Sequence, residues 1–321
     1  MKVSSSTAPA PAPSGKSSLV MGRIERIINP PIADELHLSD TATVNAQFWL
    51  GQFPWRQTAG WSLLAALLAA GLFWQPMDVA WRDLVLLWLL VDPIWGGIWR
   101  LAAGRTELLP LHGQAWSNEF WLPYLRRGSP AAQLLGDDGP ASLPLLFRVA
   151  LPTVLIAVLI ASALGVTALW MTGLVVLFGV VGWIITRQLN RPPALLQSIV
   201  MVGMPWLLTL NLLGVPVGAG AGGQTGALQL ALVLLWIIQT WGGMRTICYV
   251  DDWLGIGLMA IAQIGIGVLL VVAQAPLWLA VLVILWLPTW LAVYQRQSLR
   301  RQRIWWLLAM LVSALAIGQA I

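Results

Sequence analysis

Nine apolar stretches follow one another between residues 59 and 320, at 59–75, 82–99, 149–165, 168–186, 195–213, 227–244, 254–273, 276–294 and 304–320. Each has about the length at which a helix crosses roughly 30 Å of hydrocarbon. Lipid offers no partner to backbone N–H and C=O groups, so each stretch must satisfy them within itself, as a helix does. The sequence therefore predicts an all-α, polytopic transmembrane bundle of about nine spans. Only 10% of the residues are charged, against about a quarter in a soluble domain. The mean hydropathy of +0.77 points the same way.

The connections set the expected orientation. Lys16, Arg23, Arg26 and Arg56 precede the first span, and Arg100, Arg105, Arg126, Arg127 and Arg148 lie between the second and third. Arg187 and Arg191 follow the fourth, Arg245 the sixth, and Arg296, Arg300, Arg301 and Arg303 the eighth. The alternate connections carry almost no charge; Arg82, beside Asp78 and Asp83, is the exception. Basic loops stay in the cytoplasm, so nine spans running N-in to C-out fit every loop. Eight or ten spans would put an Arg cluster outside.

Residues 1–45 read as a disordered and amphipathic cytoplasmic segment, opening on the Ser/Ala/Pro-rich MKVSSSTAPAPAPSGKSS, which has too little apolar surface to fold. No apolar core follows the first charges, so this is not a secretory signal peptide. Residues 46–321 form the expected transmembrane domain, with 100–147 as its longest cytoplasmic loop. The localisation that follows is an integral protein of a bacterial inner membrane.

The formal charge of +5 would suggest nucleic acid in a soluble protein. Here the Arg residues cluster between apolar runs, so lipid headgroups and topology account for them and no nucleic-acid partner is expected. Cys248 is the sole cysteine, which excludes an intramolecular disulfide. His37 and His112 both lie outside the apolar runs, which disfavours a His-ligated pigment in the bilayer. The 21 Trp suit the membrane interface, where the ring is buried and the N–H stays wet.

Three polar features remain at the expected cytoplasmic ends of spans. LLVDPIWGGIWR places Asp92 before Pro93, which breaks or kinks a helix. It reads either as the lining of a polar pocket or as an Asp-Pro turn paired with Arg100. CYVDDWLG carries Asp251 and Asp252, either metal-facing or simply solvated. TRQLNRPPALLQS puts Arg187 and Arg191 one turn apart on one helix face. They are either anchors of topology or two forks for phosphate oxygens. Two acidic sites and a basic one at a single mouth would hold Mg²⁺ and a diphosphate, since Mg²⁺ is usually shared with phosphate oxygens.

In this arrangement the sequence resembles the UbiA superfamily of intramembrane prenyltransferases, over roughly residues 50–321. RQLNRPPALLQSIVMVGMPWLL is similar to the family's basic stretch running into a perturbed span, and YVDDWLGIG to its second Asp-rich site. The resemblance implies nine spans with the N-terminus inside, and transfer of an isoprenyl chain from a diphosphate to a lipophilic acceptor with Mg²⁺. It makes Asp92, Asp251 and Asp252 the catalytic metal ligands, and Arg187, Arg191 and Arg245 the diphosphate-binding residues. The first motif departs from the family pattern, N-D-x-x-D-x-x-x-D: Val91 precedes Asp92, and Trp95 and Trp99 stand where further acids belong. At the second site the acids are adjacent rather than one turn apart.

Two functions therefore compete, an isoprenyl transferase and a non-catalytic UbiA-like protein. The latter would bind a lipid, quinone or pigment, or help assemble a membrane complex. Membrane lipids are partners in both. A transporter is more distant, because no repeated halves and no mid-bilayer ionisable residue are evident. So is a CDP-alcohol phosphotransferase-like enzyme, suggested by the Asp, Gly and Arg order of DPIWGGIWR.

Overall fold

The structure is a computed structural model that describes residues 59–74, 80–103, 150–189, 193–215, 223–248, 252–297 and 299–320. All of them belong to one unit, Val44–Ile321. Among the described residues the regular elements are all helical, and they form nine rods. The first is α1 (Ala59–Ala69). The second, α2 (81–103), joins Trp81–Leu89, a π-helical segment Leu90–Trp95, and Gly96–Ala103. Next come α3 (Leu151–Leu164) and α4 (Val166–Leu189). Rod α5 (194–212) joins Ala194–Ser198, a second π segment Ile199–Gly203, and Met204–Leu212. Then follow α6 (Gly223–Cys248), α7 (Trp253–Val272) and α8 (Pro276–Tyr294). A 3₁₀ turn, Leu299–Gln302, leads into α9 (Arg303–Ala320).

Each predicted span falls on one rod. Six helices, in α4 to α9, are long and apolar enough to cross a membrane, so the chain is an integral membrane protein. α1 and α3 are shorter apolar helices. The N-terminal segment 1–45 lies outside the described residues. So does the connection 100–147, except that 100–103 continue α2. Apolar side chains cover the outer faces, with Ile264, Val268, Leu277 and Leu287 among the most exposed, as lipid-facing surface requires.

Rod packs on rod in chain order from α1 to α9, and α9 returns to α1. The interior forms two large apolar clusters that share α1 and α5. Ala59, Leu63 and Leu67 of α1 and Val200, Met204 and Leu208 of α5 face the cluster of α2, α3 and α4. Ala65, Ala66 and Ala69 of α1 and Val202, Trp206 and Leu210 of α5 face that of α6 to α9. α1 and α5 are thus the shared wall of the bundle.

Close approach in lipid depends on small residues, because apolar side chains gain nothing over the acyl chains they displace. α6 and α7 meet backbone to backbone at Gly242 and Gly255. A Cβ on Gly242 would lie 2.7 Å from Gly255 O. Gly318 of α9 lies against the end of α1, where a Cβ would stand 2.0 Å from Leu68 O. Gly71, at φ 89°, closes α1: its N–H donates to Leu68 O at 3.0 Å and Leu72 N–H donates to Leu67 O at 3.1 Å.

The tryptophans depart from the interfacial expectation. Trp95, Trp206 and Trp236 are fully buried. Several indole N–H groups bridge helices: Trp95 to Thr172 Oγ1 (3.2 Å), Trp236 to Ser313 Oγ (2.9 Å), Trp290 to Gln263 Oε1 (2.7 Å) and Trp306 to Thr289 Oγ1 (2.9 Å). A single buried donor needs only one acceptor, so indole is inexpensive to place between helices. Trp81, Trp170 and Trp253 do remain exposed.

Candidate functional sites at two helix junctions

The first site is where α1 begins, between the two π segments. Pro93 has no N–H to give to the carbonyl four residues back. The expected break does not follow. The hydrogen bonding widens to π over Leu90–Trp95 and the rod continues to Ala103. Asp92 therefore lies about midway along α2 rather than at its end. Its side chain is buried, and its Oδ1 accepts the Gly60 N–H of α1's first turn at 2.9 Å. First-turn amides lack intrahelical acceptors, and the positive end of the helix dipole compensates a buried carboxylate. Gly60 is suited to this contact, since a Cβ there would stand 3.1 Å from Asp92 Oδ1 and 3.3 Å from Trp88 Nε1.

The second π segment follows the same logic. Pro205 cannot donate to the carbonyl four residues earlier, that of Met201. Ser62 Oγ, one residue beyond the Gly60–Asp92 contact's neighbour in α1, donates to that carbonyl at 2.9 Å. At the other end of α1, the Gln229 amide of α6 donates to Ala69 O. α1 is consequently held at its start by α2 and α5, and at its finish by α6 and α9.

The second site is the elbow between α6 and α7. Arg245 lies in the last turn of α6, and Asp252 immediately precedes α7. Arg245 Nε donates to Asp252 Oδ2 at 2.7 Å and Nη2 to Oδ1 at 3.3 Å, a two-pronged ion pair. The Arg245 hydrogen bond lowers the Asp252 carboxyl below its ordinary value; burial opposes this, and the guanidinium charge reinforces it. The resemblance assigns Arg245 to diphosphate and Asp252 to metal, whereas the fold binds them to each other.

Of the remaining candidates, Asp251 and Arg191 lie outside the described residues. Arg187 falls on the backbone of α4, with its side chain outside them. Asp92 belongs to the cluster of α1 to α5 and Asp252 to the α6–α7 elbow. Gly60 N–H occupies one oxygen of Asp92, and Arg245 meets both oxygens of Asp252.

Sequence reasoning missed Gly60, Ser62 and Gln229 because it followed ionisable groups. The available signal was the uncharged polar residues inside apolar runs, among them Ser62, Gln229, Gln239 and Gln263, all buried. Comparison of the chain with protein-family models, curated proteins and solved structures finds no match.

Proposed function

We propose that the chain is a non-catalytic, UbiA-like integral membrane protein that holds a neutral lipophilic molecule of the lipid, quinone or pigment class. The observation that carries this reading is the Arg245–Asp252 ion pair. It neutralises the two groups that diphosphate and metal would each need. Asp92 adds support, because its carboxylate serves a helix amide. The Arg-bearing connections favour an N-in, C-out chain in a bacterial inner membrane.

A second reading, Mg²⁺-dependent isoprenyl transfer, is favoured by the closed order of the nine rods, with an Arg and an Asp at one mouth. It requires the ion pair to open towards substrate.

Thermal unfolding of the detergent-solubilised protein separates the two. A ligand that binds the folded state raises its stability, by about 2.7 kcal/mol at a hundred times its dissociation constant. Geranylgeranyl diphosphate with Mg²⁺ is expected to produce no Mg²⁺-dependent rise, and Asp92→Asn to melt like the wild-type protein, since an amide oxygen still accepts from Gly60. Mg²⁺-dependent stabilisation that disappears in Asp252→Asn would overturn the non-catalytic reading.

A further inference from the structure

The connection from α8 to α9 is strongly basic. Arg296, Arg300, Arg301 and Arg303 fall within eight residues, and no Asp or Glu occurs between residues 253 and 321. The fold holds this connection in place. Arg296 closes α8 with φ at 52°, in the left-handed region that favours glycine. Its N–H donates to Val293 O at 3.1 Å, and the Gln297 N–H donates to Ala292 O at 2.8 Å, the paired bonds that end a helix. Leu299 is buried with Met259, Ala292 and Trp306, and Ile247 and Ile256 pack against that cluster. The ends of α6, α7, α8 and α9 thus pin the turn from beneath, while residues 294–297 stay exposed. Anchoring of topology requires only that the charges stay on one side of the membrane. It does not require them on a fixed turn, nor an arginine where glycine would hold that turn better.

We propose that the α8–α9 turn binds the phosphate of an anionic phospholipid headgroup, drawn by the charge of Arg296, Arg300, Arg301 and Arg303. The site is independent of the ligand-binding reading above, which concerns a neutral molecule. The neighbouring elbow supplies no counter-charge, because its described acid, Asp252, is already paired with Arg245. Arg300, Arg301 and Arg303 stand at the start of α9, the positive end of its dipole, and the first turn of α9 has no acid. Like charges gathered there repel one another and the helix end, and an anion relieves both. Depth selects the anion. Trp253, Tyr294 and Trp305 are exposed at this same end of α7, α8 and α9. Exposed aromatic rings at the ends of spans lie at headgroup level. The anion carried at that level is the lipid phosphate, whose oxygens match guanidinium forks.

The test titrates the protein in neutral detergent with phosphatidylglycerol carrying a dansyl group on its acyl chain, following energy transfer from tryptophan. Phosphatidylcholine with the same label is the comparison. Phosphatidylglycerol is expected to bind more tightly, by a margin that shrinks as salt is added. Each arginine near a headgroup is worth about fivefold, so Arg300→Gln/Arg301→Gln should bind phosphatidylglycerol about twenty-five-fold more weakly. Arg296→Gly should bind it about fivefold more weakly. The same variant should melt, without lipid, at or above the wild-type temperature, because glycine takes the left-handed turn more readily. Arg82→Gln removes one exposed charge from the start of α2 and should bind like the wild-type protein. Equal affinity for the two lipids would overturn the site, as would phosphatidylglycerol binding unchanged in Arg300→Gln/Arg301→Gln. Equal losses in Arg82→Gln and Arg296→Gly would trace the binding to overall charge and overturn the turn as its seat. Displacement by inorganic phosphate beyond that by chloride at equal ionic strength would make the anion a soluble phosphate and overturn the lipid.

Discussion

Gly318→Ala is the sharpest test of how α9 closes on α1. A Cβ at this position would stand 2.0 Å from Leu68 O and 3.1 Å from Gly71 N. Real Cβ contacts stay beyond 3.0 Å, so α9 must retreat by about 1 Å. The obstacle is backbone, fixed by the turn at Gly71, and no side chain can rotate aside. A gap of that size forfeits up to about half of each dispersion contact it opens. The contacts at risk involve Ala65, Ala66 and Ala69 of α1 and Ala314 and Ile317 of α9, all buried. Overpacking costs about 1–3 kcal/mol, and a rigid obstacle places this site at the upper end. Alanine returns at most about 1 kcal/mol of helix propensity, for a net loss of about 2 kcal/mol. The expected fall in melting temperature is about 4–8 °C. The assay is thermal unfolding followed by circular dichroism in one detergent, with Gly257→Ala as control. A Cβ on Gly257 meets nothing within 4 Å, so that variant should equal or exceed the wild-type protein. Gly318→Ala melting at or above the wild-type temperature would refute the packing described here.

Two further outcomes follow from the junctions. Ser62→Ala should cost about 1 kcal/mol by leaving Met201 O without its donor. The cost should shrink in a Pro205→Ala background, where residue 205 regains its own N–H; equal losses in both backgrounds, by a double-mutant cycle, would contradict the pairing. The Asp252 carboxyl titrates lower in the folded state than in the unfolded one. The ion pair's stabilisation is therefore present above about pH 4 and is lost as pH falls through the lowered folded value. Melting temperature measured from pH 6 downwards should fall more steeply with acid in the wild-type protein than in Asp252→Asn, and parallel curves would dismiss the pair's contribution.

The rods were legible in the sequence because apolar length is a local property: each run must bury its own backbone wherever its neighbours lie. Prolines were not legible to the same degree. Pro93 and Pro205 each remove a donor, but whether a helix ends or widens depends on what accepts and donates nearby. At Pro205 that group is Ser62 of α1, distant in sequence. The Arg245–Asp252 pair was within reach, seven residues apart across a helix end. It was obscured by assigning each residue a separate role. The glycine contacts were not legible, since Gly242 and Gly318 matter only through the backbones they meet.

The fastening of α1 has a consequence for biogenesis. Its terminal carbonyl at Ala69 is met by Gln229, 160 residues further along the chain. At ordinary rates of synthesis that partner emerges roughly ten to thirty seconds later. Throughout this interval the helix is made but its closing hydrogen bond is not, so water, headgroups or the insertion machinery must supply a temporary donor. α1 is the first described rod to be translated and among the last to reach its final setting. A chain arrested before α6 would hold α1 with that carbonyl still turned to water or headgroups, a feature by which a membrane quality-control protease could distinguish unfinished copies from complete ones.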